Sequence, residues 1–248
     1  MDELLNEMGT KVKPYNTEKS KKEEVAQMFN NISGKYDFLN HFFSMGIDKR
    51  WRKKVINALK PLSPKVILDI ATGTGDFAIA ALKLNPDKVI GIDISTGMLD
   101  KGREKIKKIN QYPKIELLEG DSENIQFNND YFDAITVGFG VRNFENLKKG
   151  LAEMLRVLKP GGQAMILEFS KPKKFPVKQF FGFYSKRIMP FFGRKISKDA
   201  RAYAYLPESV QAFPEGEEMK QILLEVGFKN VDIRLVSGGI ATIYAARK

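Results

Sequence analysis

A chain of 248 residues, 43% hydrophobic and 29% charged, has the balance of a folded globular protein and the length of one α/β domain with insertions. It holds no cysteine and a single histidine, His41, which excludes disulfides, thiol nucleophiles and multi-histidine metal sites. The net charge of +11 is compatible with nucleic acid, anionic lipid or an acidic substrate, so its placement matters more than its size.

From Met1 to Glu24 acidic and basic residues alternate without the apolar core of a signal peptide, and no later run approaches a membrane span, which predicts a cytoplasmic protein. Residues 1–20 are polar and are expected to fray. A helix is predicted from about Lys21, with Val25, Met28, Phe29 and Ile32 at helical spacing. Short apolar runs then alternate with helical segments: Val66 to Ile70, Val89 to Asp93, Ile115 to Leu118, Phe132 to Phe139 and Ala164 to Phe169. Such runs suit strands buried on both faces, and their alternation with helices predicts a doubly wound, Rossmann-like α/β fold. Leu147, Leu151, Met154, Leu155 and Leu158 form one helical stripe. Pro160-Gly161-Gly162 is expected to end that helix with a left-handed glycine cap before a strand near Gln163. Glu217 to Val226 reads as a helix ended by Gly227. Val231 to Leu235 and Ala241 to Ala246 read as closing strands whose link through Gly238-Gly239 is short enough for a hairpin.

The run Val66-Ile67-Leu68-Asp69-Ile70-Ala71-Thr72-Gly73-Thr74-Gly75-Asp76 is a strand entering a glycine turn and a helix start. Such a turn brings backbone and free N–H groups close to an anionic group. The signal is weak alone, since Gly73-x-Gly75-x-x-Ala78 also fits a dinucleotide fingerprint. Asp93 ends the next strand 18 residues after Gly75, near the distance at which an acid takes ribose hydroxyls. The third strand also ends in an acid, Asp121, so Asp69, Asp93 and Asp121 are expected to converge on one crevice at the carboxyl ends of the strands. Asp121 suits an adenine amino group and would oppose a pyrophosphate.

These motifs, with Phe132-Asp133 and Leu158-Lys159-Pro160-Gly161-Gly162, resemble those of class I methyltransferases. A narrower set, Tyr36-Asp37-x-x-Asn40, Ser44-x-Gly46, Trp51-Arg52, Gly138-Phe139-Gly140-x-Arg142-Asn143, Leu167-Glu168-Phe169-Ser170-Lys171-Pro172, Pro190-Phe191-Phe192-Gly193 and Gly238-Gly239, resembles the ubiquinone/menaquinone biosynthesis methyltransferase family. The chain departs from many relatives at Asp48, where they carry histidine, so no imidazole role transfers there. The resemblance implies one methyltransferase domain over 1–248: an N-terminal helical segment (1–60), a cofactor-binding core (61–170), an insertion (171–216), and a closing helix and strands (217–248). The sheet would have about seven strands, the last antiparallel. The resemblance also implies that S-adenosylmethionine is the cofactor, contacted by Thr74, Asp93, Asp121 and Ser122, with Gly73 and Gly75 shaping the turn.

It places Arg142 and Asn143 beside a prenylated quinol, most simply demethylmenaquinol, with a benzoquinol of ubiquinone synthesis as the alternative. A sulfonium methyl donor needs neither metal nor covalent intermediate. The acceptor ring needs a base or a cation that stabilises its phenolate. Arg142 fits the electrostatic role and, being permanently protonated, not that of base. His41, Asp76 or water remain open as the base. Asn143 also fits a helix cap near Phe144, and Arg142 a surface ion pair. Because Arg142 follows a buried strand in a glycine-flanked loop expected to face the crevice, Arg142→Ala is expected to lower turnover while leaving cofactor affinity and thermal stability nearly unchanged.

Between Lys171 and Tyr205 stand ten basic residues and one acid, interleaved with Phe175, Phe180, Phe181, Phe183, Tyr184, Phe191, Phe192, Tyr203 and Tyr205. With the resemblance, this favours an anionic membrane surface over single-stranded nucleic acid, and a peripheral location at the inner face of the membrane. A packed cap with a solvated basic face is the plainer alternative. A nicotinamide-dependent oxidoreductase and an RNA-binding module are the competing function classes, and whether the chain forms a homodimer is left open.

Overall fold

A computed structural model describes residues 12–37, 44, 46–183, 187 and 199–248. His41, Asn40 and the Pro190–Gly193 motif lie outside the described residues. A seven-stranded sheet runs β3-β2-β1-β4-β5-β7-β6. Its strands are β1 Val66–Ile70, β2 Lys88–Asp93, β3 Ile115–Glu119, β4 Phe132–Gly138, β5 Leu158–Phe169, β6 Lys229–Val236 and β7 Ala241–Arg247. The pairs among β1 to β5 are parallel, and β7 is antiparallel to both of its neighbours. The order reverses between β1 and β4, the switch point at which open α/β sheets hold their ligands.

Both faces are covered. Ile67 of β1 packs with Trp51, Val55, Ile56 and Leu59 of α2 (Ile47–Leu59), Phe77 and Ala78 of α3 (Asp76–Ala81), and Leu99 and Ile106 of α4 (Thr96–Lys108). Leu68 and Ile70 face the other way, toward Leu151 and Met154 of α5 (Leu147–Val157) and Met219, Ile222 and Leu223 of α8 (Glu217–Val226). A strand that sends alternate side chains into two apolar layers must be apolar throughout, which is why these runs lack polar alternation.

The insertion after β5 carries α6 (Val177–Phe183) and α7 (Ala200–Ala212). A third core unites it with the amino-terminal helix α1 (Lys21–Ile32): Val25 and Met28 pack with Ala202 and Tyr205, joined by Val12, Tyr15 and Phe29. Ser20 opens α1 with a capping box, its hydroxyl accepting from Glu23 N while Ser20 N donates to the Glu23 carboxylate at 2.8 Å.

Three expectations need correction. Residues 12–20 do not fray, because the buried Glu24 carboxylate accepts from Tyr15 N, Asn16 N and Thr17 N at 2.6–3.0 Å. Leu158 is not helical: it is extended, with φ −77° and ψ 135°, and it pairs with Phe132 at the start of β5. Gly161, at φ +79°, is therefore no helix cap. It lies within β5, where its N–H donates to Lys248 O. Finally, α5 begins at Leu147 behind Asn146, whose side chain accepts from Lys149 N, so Asn143 caps no helix.

Candidate active site

The carboxyl ends of β1, β2, β3 and β4, roofed by α1, enclose a cleft of about 650 Å³ that is partly open to solvent. Gly73, Asp93, Asp121, Ser122 and Asn143 all line it, together with Phe139, Glu123 and Glu145. Thr74, Gly75 and Arg142 do not appear among its lining residues.

The glycine turn is built from beneath. Asp69 accepts from the Thr72 and Thr136 hydroxyls at 2.5 and 2.7 Å and from Ala78 N at 3.2 Å. It therefore stands behind the turn instead of joining Asp93 and Asp121 in the crevice, which corrects the expected convergence of three acids. Burial pushes its pKa up to about 7, against those three hydrogen bonds. A carboxyl whose folded pKa lies above its ordinary 3.8 adds most stability below that value and loses the contribution as pH rises through the folded pKa. Asp69→Asn is therefore expected to flatten the decline in stability between about pH 4 and pH 7, measured by urea denaturation across that range. An unchanged slope would show that Asp69 does not titrate there.

Gly73, at φ +56°, takes a conformation that L side chains rarely adopt, and its N–H donates to Asp93 Oδ2 at 2.8 Å. The other Asp93 oxygen accepts from Ser95 N at 2.8 Å. Burial raises the Asp93 pKa while these two N–H groups oppose the rise. Each oxygen keeps a further lone pair for a ligand hydroxyl. Thr74 is buried under the turn, donating to Asp37 Oδ1 at 2.6 Å and accepting from Lys105 Nζ at 3.0 Å. Asp76 pairs with Lys105 at 2.8 Å and Arg52 at 3.1 Å.

Beyond β3, Asp121 accepts from Glu123 N at 2.9 Å and from Lys22 Nζ at 2.5 Å. Lys22 is a cleft residue that sequence reasoning missed, as are Phe29, Tyr36, Glu123 and Glu145. The helical spacing of Val25, Met28, Phe29 and Ile32 marked α1 but held no sign of what its first turn would face. Lys21 is buried, with its ammonium 3.0 Å from Arg142 O and 2.9 Å from Phe144 O. Burial and then the Arg142 charge lower its pKa to about 8, against the pull of Glu123 and Glu145.

Arg142 is neither exposed nor a surface ion-pair partner. Its Nη1 lies 2.8 Å from Glu168 Oε1 and also donates to Phe139 O, with side-chain exposures of 7% and 1% for the charged pair. The guanidinium lies over the Phe169 ring, 5.6 Å from its centroid. Its Nε is a buried nitrogen with no hydrogen-bond partner among the described residues. The expectation that Arg142 can be removed with little loss of stability is withdrawn on this burial. Burial raises the pKa of Glu168, and the Arg142 charge opposes the rise. Asn143 Oδ1 accepts from the hydroxyl of Tyr205 in α7 at 3.0 Å, so the insertion helix is tied to the cleft wall.

The cleft thus presents four carboxylates, Asp93, Asp121, Glu123 and Glu145, against the cation of Lys22. That acceptor set fits hydroxyls, an exocyclic amine and a positively charged ligand, and it disfavours a pyrophosphate. Among the described residues no cluster of acids or histidine could hold a metal, and no helix is long and apolar enough to cross a membrane.

The sequence and fold have known counterparts. The chain is 51% identical over 245 residues to a demethylmenaquinone methyltransferase of Bacteroides fragilis, covering 98% of this chain and all of that protein. It is 42% identical over 230 residues to a ubiquinone/menaquinone biosynthesis C-methyltransferase of Geobacter sulfurreducens, covering 92% and 90% of the two chains. The crystal structure of the [4+2]-cyclase SpnF superposes with a TM-score of 0.69 at 15% identity, covering 92% of this chain and 96% of that one. At that identity the likeness is one of fold alone, and the cyclase's different activity shows that the fold does not fix the reaction. The model of the ubiE/COQ5 methyltransferase family matches residues 17–248, from the loop held by Glu24 to the last strand, and the chain belongs to that family.

Proposed function

We propose that the chain transfers the methyl group of S-adenosylmethionine to a ring carbon of a prenylated quinol, converting demethylmenaquinol to menaquinol. The observation that carries this reading is the 51% identity over nearly the whole chain to a protein named for that reaction. The cofactor supplies an electrophilic methyl on a sulfonium, a cation suited to a cleft with an excess of carboxylates. Asp93 holds the ribose hydroxyls, and Asp121 with Ser122 holds the adenine. Gly73, Thr74 and Gly75 form the turn against which the cofactor lies, with Thr74 acting from beneath it.

On the acceptor side, Asn143 lines the cleft with its amide held between the Tyr205 hydroxyl and Phe139 O, and Arg142 stands behind Phe139 and Phe169 as a fixed positive charge. A ring hydroxyl that loses its proton makes the neighbouring carbon nucleophilic, and a cation in a poorly solvated wall favours that phenolate. The ring proton displaced by the methyl group leaves to a base or to water. The whole chain, 1–248, acts in this reading as one catalytic unit at the cytoplasmic face of an anionic membrane, where a substrate with an isoprenoid tail resides.

Two measurements test it. Calorimetry should show S-adenosylmethionine binding and no binding of a nicotinamide dinucleotide. Incubation with the methyl donor should then methylate demethylmenaquinol in preference to the corresponding benzoquinol. Preference for the benzoquinol would move the chain to ubiquinone synthesis, and transfer to neither ring would end the reading.

A further inference from the structure

We propose that the segment from Lys173 to Phe183 is a membrane-inserting face: Phe175, Phe180 and Phe183 enter the acyl boundary of an anionic leaflet while Lys173, Lys174 and Lys178 hold its headgroups. The phenylalanines are 80%, 77% and 62% exposed. Single exposed apolar residues need no explanation, but three large ones within nine residues form a patch that water disfavours. Phe180 and Phe183, three residues apart on α6, share one side of the helix. Phe175 stands in the turn before it, joined by hydrogen bonds from Lys178 N to Lys174 O and from Phe180 N to Pro176 O.

The charge around the patch selects its occupant. From Lys171 to Phe183 the sequence holds four lysines and no acid. Lys173, Lys174 and Lys178 are exposed, and the Lys173 side chain, 82% exposed, reaches only to 3.5 Å from Glu215. Exposed aromatics ringed by cations match the boundary between anionic headgroups and acyl chains.

The placement also connects to the cleft. A Cβ at Gly238 would lie 2.8 Å from Val177, so α6 sits on the turn between β6 and β7. Ser237 of that turn accepts from Trp51 Nε1 at 2.8 Å. The Trp51 ring meets those of Phe139 and Phe169 at 6.0 and 6.3 Å, and Phe139 lines the cleft. Packed contacts through Phe139, Trp51, Ser237, Gly238 and Val177 thus link the cleft wall to the element that carries the exposed face, so docking of that face would bring the cleft toward a leaflet holding an isoprenoid tail. That consequence rests on the quinol reading, whereas the docking itself does not.

The test uses the full chain with vesicles of equimolar phosphatidylglycerol and phosphatidylcholine and vesicles of phosphatidylcholine alone. The parent should sediment with the anionic vesicles and be released by salt. The triple variant Phe175→Ser, Phe180→Ser, Phe183→Ser should bind at least about tenfold more weakly even at low salt, and Lys173→Gln, Lys174→Gln, Lys178→Gln should lose the salt dependence. In the variant Phe180→Trp, the introduced indole should shift its emission to the blue and be quenched by brominated lipid; Trp51 is buried and serves as the internal control. The proposal is overturned if the parent stays in solution with anionic vesicles at low salt, or if the emission of the introduced indole is unmoved by them. It is also overturned if that emission shifts instead with an oligonucleotide or on self-association without lipid. Methylation of a short-tailed, water-soluble quinol, measured in parallel, separates the two readings. If it persists in the phenylalanine variant while turnover of long-tailed quinol in vesicles falls, both stand. If the parent methylates no quinol yet binds vesicles, only the quinol reading fails.

Discussion

Arg142→Ala is expected to destabilise the protein by about 3–5 kcal/mol, the range for breaking a buried ion pair from one side. Glu168 would remain in a fully buried site with Phe169 N, at 2.8 Å, and the residue-142 N–H, at 3.4 Å, as the donors left to it among the described residues. Its pKa, already raised by burial, would rise further without the opposing cation. The folded variant would then bind a proton that the unfolded chain has released, so its stability would fall as pH rises through the folded pKa. Urea denaturation at acidic and alkaline pH should show the loss largest at the alkaline end. Arg142→Ala combined with Glu168→Gln should recover much of the stability, because no uncompensated charge remains, and should leave turnover low if the guanidinium acts on the acceptor. A loss below about 1 kcal/mol in the single variant would place the pair among weak surface contacts.

Asp93→Asn should weaken S-adenosylmethionine binding by ten- to a hundredfold, roughly 1.5–3 kcal/mol for hydrogen bonds to a charged group. The carboxylate does two things at once. It fixes the turn through Gly73 N and Ser95 N, at 2.8 Å each, and it offers its remaining lone pairs to the cleft. An amide of the same size can accept through one end only and turns an NH2 toward the other N–H group. Calorimetry should show the drop, accompanied by a lower melting temperature from the backbone N–H that the amide leaves without an acceptor. Unchanged affinity in a folded variant would remove Asp93 from the cofactor site.

The central strands were legible because burial on both faces leaves no polar alternation to misread, and Asp93 and Asp121 were legible because strand ends point to the switch point. Asp69 obeyed the same rule and still faces away from the cleft. Its position was set by the strand end, but its direction was set by the pleat and by the Thr72 and Thr136 hydroxyls that it collects. Leu158 fits the helical stripe of α5 by spacing and is nonetheless a strand residue, because pairing with Phe132 across the sheet outweighs one more helical turn. Glu168 gave a signal that went unused. An acid inside the apolar run from Ala164 to Phe169 demands a buried partner, and Arg142 is the cation that answers it. Lys22 and Phe29 gave none, since nothing local in α1 states that it will lie across β3.

That helix joins two walls of the cleft. α1 lends Lys22, Val25 and Phe29 to the cleft, while Val25 and Met28 are interlocked with Ala202 and Tyr205 of α7. Tyr205 in turn holds Asn143 on the opposite wall. Lifting α1 away would expose four buried side chains together and loosen the wall that holds Asn143 in the same event. The two walls of the cleft are therefore fastened to each other through α7, so a substitution in the packing of Val25 and Met28 against Ala202 and Tyr205 should be felt at Asn143 as well.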